Sequence, residues 1–503
     1  MDIKHKPLTV QQPVLNVSSQ ALFDGVISLS SDQNDLSEVL FADGYASLAG
    51  VETLENRIIL DGVIHYSIIY RDINGEVDCQ KSMSSFRHSM DALGVTPKTN
   101  VNINVSLTET ENHVKNERNV SVTGVVDIDA LCFTDQMVDM VEETPDIQAK
   151  HNNVTMSCIG KIERHHTTIT EEKRLPQTLP PIKKVAFAYG FPSITTMKPE
   201  DDRAAVEGEL SINILYITQE EEAPLSTTSQ MLSIGEMLPM PSMQKPSHMF
   251  SRVSIDKIDV TVVDEEQDII RITAELTITM MPLNMVSMPV LTAAYSTKTM
   301  LEEEVKTMNA CSLINHLAET TLIRDTLSVG SPRAVRIICS SGKAIVSKTV
   351  CGNDILHVEG IILYNVCYTT EEGMVSKVME KPFQVEVSAP GLTGKHNSLA
   401  VAIVKNVQTE GSGRDINVSS LIVIDAYFFL DQSFPVLTNL TDLNQPPVKT
   451  SGLIVYFADE GETLWDVSKR FLIDTKSIVS YNPEIEENST LSSGQKLLLF
   501  AKR

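Results

Sequence analysis

The segment DGVIHYSIIY at residues 61–70 recurs as EGELSINILY at 207–216 and as EGIILYNVCY at 359–368. In each copy an acidic residue and a glycine open the segment, and a tyrosine follows eight residues after the glycine. Every second residue after that glycine is apolar in all three copies, which is typical of a β-strand with one face on a core. The sequence therefore predicts three equivalent strands in one register.

The three copies follow one another at a spacing of about 150 residues, which is the size of a domain rather than of a solenoid repeat. A second alternating strand, from Ile270 to Met280, has less regular counterparts at 120–128 and 416–424. A chain of 503 residues is also too long for a single core. We predict a mainly β fold of three tandem β-sheet domains, at residues 1–145, 146–305 and 306–440.

The longest uncharged stretch runs from Leu276 to Thr297. It contains Pro282, Asn284 and Pro289, which argue against a membrane-spanning helix. We interpret it as a strand, a turn and another strand, with no membrane span.

A small module is predicted at residues 453–503, after a proline-containing linker at 441–452. Its pattern is an apolar strand, two short helices and a closing strand, or βααβ. Thr463 and Asp466 have the spacing of a helix cap, and the residues at helical spacing behind them predict a buried stripe. Trp465 points about 100° away from that stripe, so we expect it to be at most half buried.

These features resemble two known families. The repeated strand, together with the AAYSTK segment at 293–298, is similar to the SPOCS domains of spore-forming Firmicutes. The stretch from GETLWDV through YNPEI to SGQKLLL resembles a LysM domain along its entire length. Tandem SPOCS domains ahead of a LysM domain are the arrangement of SipL-type spore coat morphogenetic proteins of clostridia.

The LysM resemblance implies a recognition groove between the turn before the first helix and the loop after the second. LysM domains commonly hold N-acetylglucosamine chains, but acidic residues surround this groove and suit a basic protein surface. A solvated rim is the alternative interpretation of these acids. Carried over to this chain, the partner-binding residues are Gly461, Glu462, Thr463, Leu464, Trp465, Asn482, Pro483, Glu484 and Ile485.

Composition and motifs exclude several functions. A formal net charge of −25 repels phosphate backbones, so no nucleic-acid partner is expected. The first ten residues have no apolar core, which predicts a cytosolic protein. The seven cysteines are odd in number and show no Cys-x-x-Cys spacing, which indicates neither a disulfide framework nor a zinc site. Motifs for nucleotide, serine or zinc hydrolysis are missing from the sequence, so we expect no enzyme, no catalytic residues, no cofactor and no metal.

The resemblance implies a non-enzymatic scaffold in the mother-cell cytosol, at the forespore surface and in the spore coat. Its LysM domain is expected to dock on the coat-basement ATPase SpoIVA, and its SPOCS domains on other spore coat proteins. Two alternatives stay open: a spore-envelope protein that binds peptidoglycan, and a self-assembling surface filament formed by a homo-oligomer.

Overall fold

The computed structural model describes residues 3–200, 202–220, 224–240, 248–263, 268–446, 452–486 and 489–501. Most of these residues lie in antiparallel strands, so the predicted mainly β fold is confirmed. Residues 447–451 of the predicted linker lie outside the described ranges.

The strands of the first copy are β1 (His5–Ser28), β2 (Leu36–Leu54), β3 (Arg57–Asp72), β4 (Val77–Asp91), β5 (Asn100–Asn116) and β6 (Asn119–Val141). Those of the second copy are β7 (Gln148–Ile159), β8 (Glu163–Arg174), β9 (Ile182–Pro199), β10 (Arg203–Thr218), β11 (Leu225–Pro239), β12 (His248–Val262) and β13 (Ile269–Tyr295). Those of the third copy are β14 (Leu301–Ser328), β15 (Arg336–Cys351), β16 (Ile355–Thr369), β17 (Met374–Ser388), β18 (His396–Glu410) and β19 (Asp415–Asp442). The C-terminal module consists of β20 (Gly452–Phe457), α1 (Leu464–Phe471), α2 (Thr475–Tyr481) and β21 (Lys496–Ala501).

Each copy folds as two facing sheets around one apolar core. In the first copy these sheets have the orders β2-β3-β4 and β1-β6-β5, and in the third copy β15-β16-β17 and β14-β19-β18. The second copy repeats the order, except that β7 and β8 together take the place of the long first strand and both pair with β13. The third copy begins with β14 at Leu301, a few residues before the start predicted at 306.

The repeated segments form the central strands β3, β10 and β16, in the predicted register. In β3 the predicted core face is at most 2% exposed, from Ile64 to Tyr70. The equivalent residues of β10 and β16 are equally buried: Leu210, Ile212, Ile214 and Tyr216, and Ile362, Tyr364, Val366 and Tyr368.

The predicted turn within 276–297 is wrong, because β13 runs through this stretch without a break. The interruption lies instead in its neighbours, since β8 pairs with β13 up to Met280 and β7 pairs from Leu283 onward. Pro282 lies between these two paired segments. Its lack of an N–H therefore costs no hydrogen bond to β7 or β8. Its carbonyl accepts from the Gly160 N–H at 2.9 Å.

The three copies close into a ring in which each copy contacts the other two. At one end, Phe41, Phe187 and Cys339 occupy equivalent positions in β2, β9 and β15 and share one apolar cluster. At the other end, Leu8, Val154 and Met308 occupy equivalent positions in another shared cluster. Copies that are far apart in sequence therefore bury one another's apolar surface.

A central cavity of about 1210 Å³ lies between the three copies. Its wall includes Asp43, whose carboxylate accepts from the Lys343 ammonium and the Ser341 hydroxyl, each at 2.8 Å. His316 and Asp425, also in the wall, hydrogen-bond to each other. These polar groups are paired within the ring, and the contacts of Asp43 join the first copy to the third.

Candidate functional site

The C-terminal module folds locally as its sequence predicts. Thr463 caps α1: its hydroxyl accepts from the Asp466 N–H, while the Asp466 carboxylate accepts from the Thr463 N–H at 3.0 Å. Burial disfavours the Asp466 carboxylate, but the bonds from Thr463 outweigh it and hold the pKa of Asp466 below its ordinary value. Asp474 caps α2, and Asn482 ends it.

The module has an apolar core of its own. Leu464 and Val467 of α1, Ile478 of α2, and Leu497 and Leu499 of β21 are fully buried in one cluster. The buried stripe of α1 is therefore confirmed, and it shares one core with the inner face of β21.

Two polar residues of the predicted groove act inside the module. Glu462 is 8% exposed and accepts from the Tyr456 hydroxyl at 2.8 Å, while Arg470 pairs with it at 2.8 Å. Asn482 is 2% exposed, and its amide both donates to and accepts from the Leu498 backbone at 2.8 Å. Asn482 therefore fixes the end of α2 to the free edge of β21.

The nine predicted groove residues consequently fall into two groups. Four of them are buried and shape the module from within, namely Glu462, Leu464, Asn482 and Ile485. Gly461, Pro483 and Glu484 are exposed, while Thr463 and Trp465 are partly covered. The turn containing Thr463 also forms a β-bridge to Thr490.

Trp465 is covered more deeply than the sequence predicts, because a residue of the second copy lies against it. The rings of Trp465 and Tyr295 meet edge to face, with centroids 5.1 Å apart. Tyr295 is 2% exposed, and its hydroxyl donates to the Ile473 carbonyl at 2.7 Å. Burial raises the pKa of Tyr295, so the phenol stays protonated at neutral pH. Helical spacing alone gives no signal for this contact.

An ion pair joins the same two parts of the chain. The Lys469 ammonium of α1 contacts the Glu303 carboxylate of β14. Tyr295 ends β13 and Glu303 lies near the start of β14, so α1 packs where the second copy passes into the third. The LysM module is therefore held against the ring through one side of α1.

The acidic surroundings of the groove are exposed in the structure. Asp459 and Glu460 precede the first groove turn, and Glu484 and Glu486 lie in and after the second. Glu487, which continues the second run, lies outside the described residues. The predicted negative rim thus faces solvent, where it can attract a basic surface over a Debye length.

The described residues contain no helix long and apolar enough to cross a membrane. Within those same ranges, no three His, Cys, Asp or Glu side chains are grouped so that they could hold a metal ion. The seven cysteines are all free thiols.

Comparison with protein families agrees with both resemblances. The SipL SPOCS-domain model matches residues 35–115 and 181–263, and the LysM-domain model matches residues 459–500. Neither the curated proteins nor the solved structures gave a match. The two SPOCS matches run from β2 to β5 and from near the start of β9 to β12, which are the equivalent parts of the first two copies. The chain therefore carries SipL SPOCS domains in its first two copies and a C-terminal LysM domain, the arrangement of SipL-type proteins, and its third copy repeats the same sheet order.

Proposed function

We propose that the protein is a non-enzymatic scaffold of spore coat assembly, which docks through its LysM domain on the coat-basement ATPase SpoIVA at the forespore surface. The combination of domains carries this proposal, since both matched families are binding domains and one belongs to sporulation. The ring supplies a rigid platform for other coat proteins in the mother-cell cytosol. The LysM domain supplies the single docking contact.

The geometry of the LysM domain supports a protein partner. Two of its buried groove residues bind within the module: Glu462 contacts Tyr456 and Arg470, and Asn482 bonds to the Leu498 backbone. The exposed part of the groove offers Pro483 and a rim of carboxylates. Such a rim steers the approach of a basic protein surface, whereas a neutral glycan gains nothing from it.

A parallel binding experiment tests the proposal. The full chain and a variant lacking residues 453–503 are offered purified SpoIVA-type ATPase and purified peptidoglycan. We expect the full chain to retain the ATPase and the shortened chain to lose it. Near-UV circular dichroism checks that the ring stays folded in the shortened chain. Failure of the full chain to bind the ATPase would overturn the proposal.

Peptidoglycan binding is the second candidate, and the LysM match itself favours it. Gly461 and Pro483, in the two exposed turns, are positioned to present backbone groups to a sugar chain. Retention of the full chain by peptidoglycan, reversed by N-acetylglucosamine oligomers, would favour this candidate.

In cells, the proposal predicts that Trp465→Ala or deletion from Leu453 onward abolishes localisation to the forespore. Tyr295→Ala is the matched control, because it removes the contact between the ring and Trp465 but keeps the indole. If Tyr295→Ala localises normally and Trp465→Ala does not, the indole is required for docking on the forespore.

A further inference from the structure

The outer face of the LysM sheet carries a row of exposed apolar side chains. Leu453, Val455 and Phe457 of β20 are 59%, 47% and 60% exposed. The register pairs Leu453 with Phe500 and Val455 with Leu498, so these β21 side chains share the same face. Phe500 is 38% exposed, and the ring of Tyr481 lies 5.5 Å from it and extends the row.

This face differs from the solvent side of an ordinary antiparallel strand. Alternation normally places polar residues outside and apolar residues inside. Here the strand LIVYF at 453–457 is apolar on both faces, while the inner face is already filled by the core of the module. Lys496 is the charged side chain that the register places on the outer face. A contiguous apolar surface of this kind marks an interaction site.

The ring leaves this face free. Its contacts with the module run through α1 and the segment that follows, where Trp465 meets Tyr295, Lys469 meets Glu303, and Ile473 accepts a hydrogen bond. The outer side chains keep their exposure in the complete described chain, so the ring does not cover them.

The chemistry of the face and its border identifies the occupant as a protein. The Leu, Val and Phe side chains of this face offer no hydrogen bonds to the hydroxyls of a glycan, so this surface suits another apolar surface. Exposed carboxylates border it, with Asp459 and Glu460 just after Phe457 and Glu484 just after Tyr481. A second copy of this chain, with a net charge of −25, would add its own negative charge to that border.

We propose that the outer face of the LysM sheet docks a protein partner through an apolar patch bordered by lysine or arginine side chains. This proposal rests on the proposed function and adds the sheet face to the groove as part of the docking surface.

The test uses the full chain with Val455→Thr and Phe457→Thr together, since threonine keeps the strand propensity and removes apolar surface. The matched control is Met83→Thr with Val350→Thr, two exposed apolar positions on ring strands. Affinity for the SpoIVA-type ATPase is measured by titration. We expect the sheet variant to bind at least about tenfold more weakly, as for loss of interface anchors. The control variant should bind like the unmodified chain, and both should keep the same melting temperature.

Three results would contradict the proposal. If the sheet variant binds normally while deletion of 453–503 abolishes binding, the proposed function stands and this surface assignment falls. If the unmodified chain itself does not bind, the proposed function falls and this inference falls with it. Sedimentation showing self-association that the sheet variant loses would make a second copy the occupant instead.

Discussion

Tyr295 covers Trp465: the two rings meet at 5.1 Å, and the Tyr295 hydroxyl also donates to the backbone of the module that carries Trp465. The aromatic residue at the recognition groove is therefore also part of the contact between the LysM domain and the ring. Because Trp465 is the single tryptophan of the chain, its fluorescence reports on that contact alone.

We predict that Tyr295→Ala shifts the emission of Trp465 to longer wavelength and increases its quenching by acrylamide, because the indole becomes solvated. Tyr295→Phe keeps the ring contact and loses the bond to Ile473, so its emission should stay close to that of the unmodified chain. An unchanged spectrum in Tyr295→Ala would show that the contact does not persist in solution.

The repeated glycine is required by close backbone approach. A Cβ at Gly208 would lie 2.3 Å from the Ser193 carbonyl oxygen, and one at Gly360 would lie 2.2 Å from that of Ile345. We expect Gly208→Ala to lower the free energy of unfolding by about 1–3 kcal/mol, as overpacking does. Gly235→Ala, on the neighbouring strand, has open space and is the control. Urea denaturation monitored by circular dichroism compares them, and equal stability of the two variants would contradict the prediction.

The ion pair between Asp43 and Lys343 should stabilise ring closure. Lys343→Met leaves the 3% exposed Asp43 without its cation, and we expect a loss of about 3 kcal/mol. The double variant Asp43→Asn/Lys343→Met removes both charges and should regain most of that loss. Lys348→Met changes an exposed lysine of the same strand and should have little effect. Chemical denaturation measures all three, and a double variant no better than Lys343→Met would argue against a coupled pair.

Acid should weaken the contact between the first and second copies. Burial disfavours the Asp78 carboxylate, but hydrogen bonds from Lys184, the Cys79 N–H and Gln33 outweigh it and lower the pKa of Asp78. A lowered folded-state pKa contributes stability above the unfolded value of about 3.9, and this stability is lost as the pH falls through the folded value. Asp78→Asn should therefore be less stable than the unmodified chain at pH 6, and the gap should narrow below about pH 3.5. Melting temperatures across pH 2.5–7 test this, and a gap that widens in acid would refute it.

The sequence predicts what lies within one copy better than what lies between copies. Alternation identifies the core face from Ile64 to Tyr70, because a strand with one buried face repeats every two residues. It does not identify what buries Ile69 and its equivalents Leu215 and Cys367 on the opposite face, since another copy supplies that cover. The sequence also does not predict that β13 is continuous. Pro282 fits into this strand because the gap between β8 and β7 lies beside it, and those strands are more than a hundred residues away in sequence.

In the candidate site, too, the sequence predicts the local contacts but not the contact with the ring. The cap at Thr463 and the buried stripe of α1 depend on residues a few positions apart, and the sequence predicts both. The cover over Trp465 comes from Tyr295, which sequence spacing does not connect to it. The apolar outer face did have a signal in the sequence, namely a strand at 453–457 with apolar residues at every position.

The shared cluster that holds Leu8 also holds Phe434, so residues of the first and the third copy are packed together. A nascent chain leaving the ribosome would expose the apolar flank of its first copy until the third had been made. Deleting any one copy should therefore lower the yield of folded protein far more than deleting the LysM domain does. The remaining copies would expose apolar surfaces that have no partner. Fragments ending before β19 are thus expected to collect in inclusion bodies or to be degraded, and genetic dissection of the ring requires point substitutions rather than truncations.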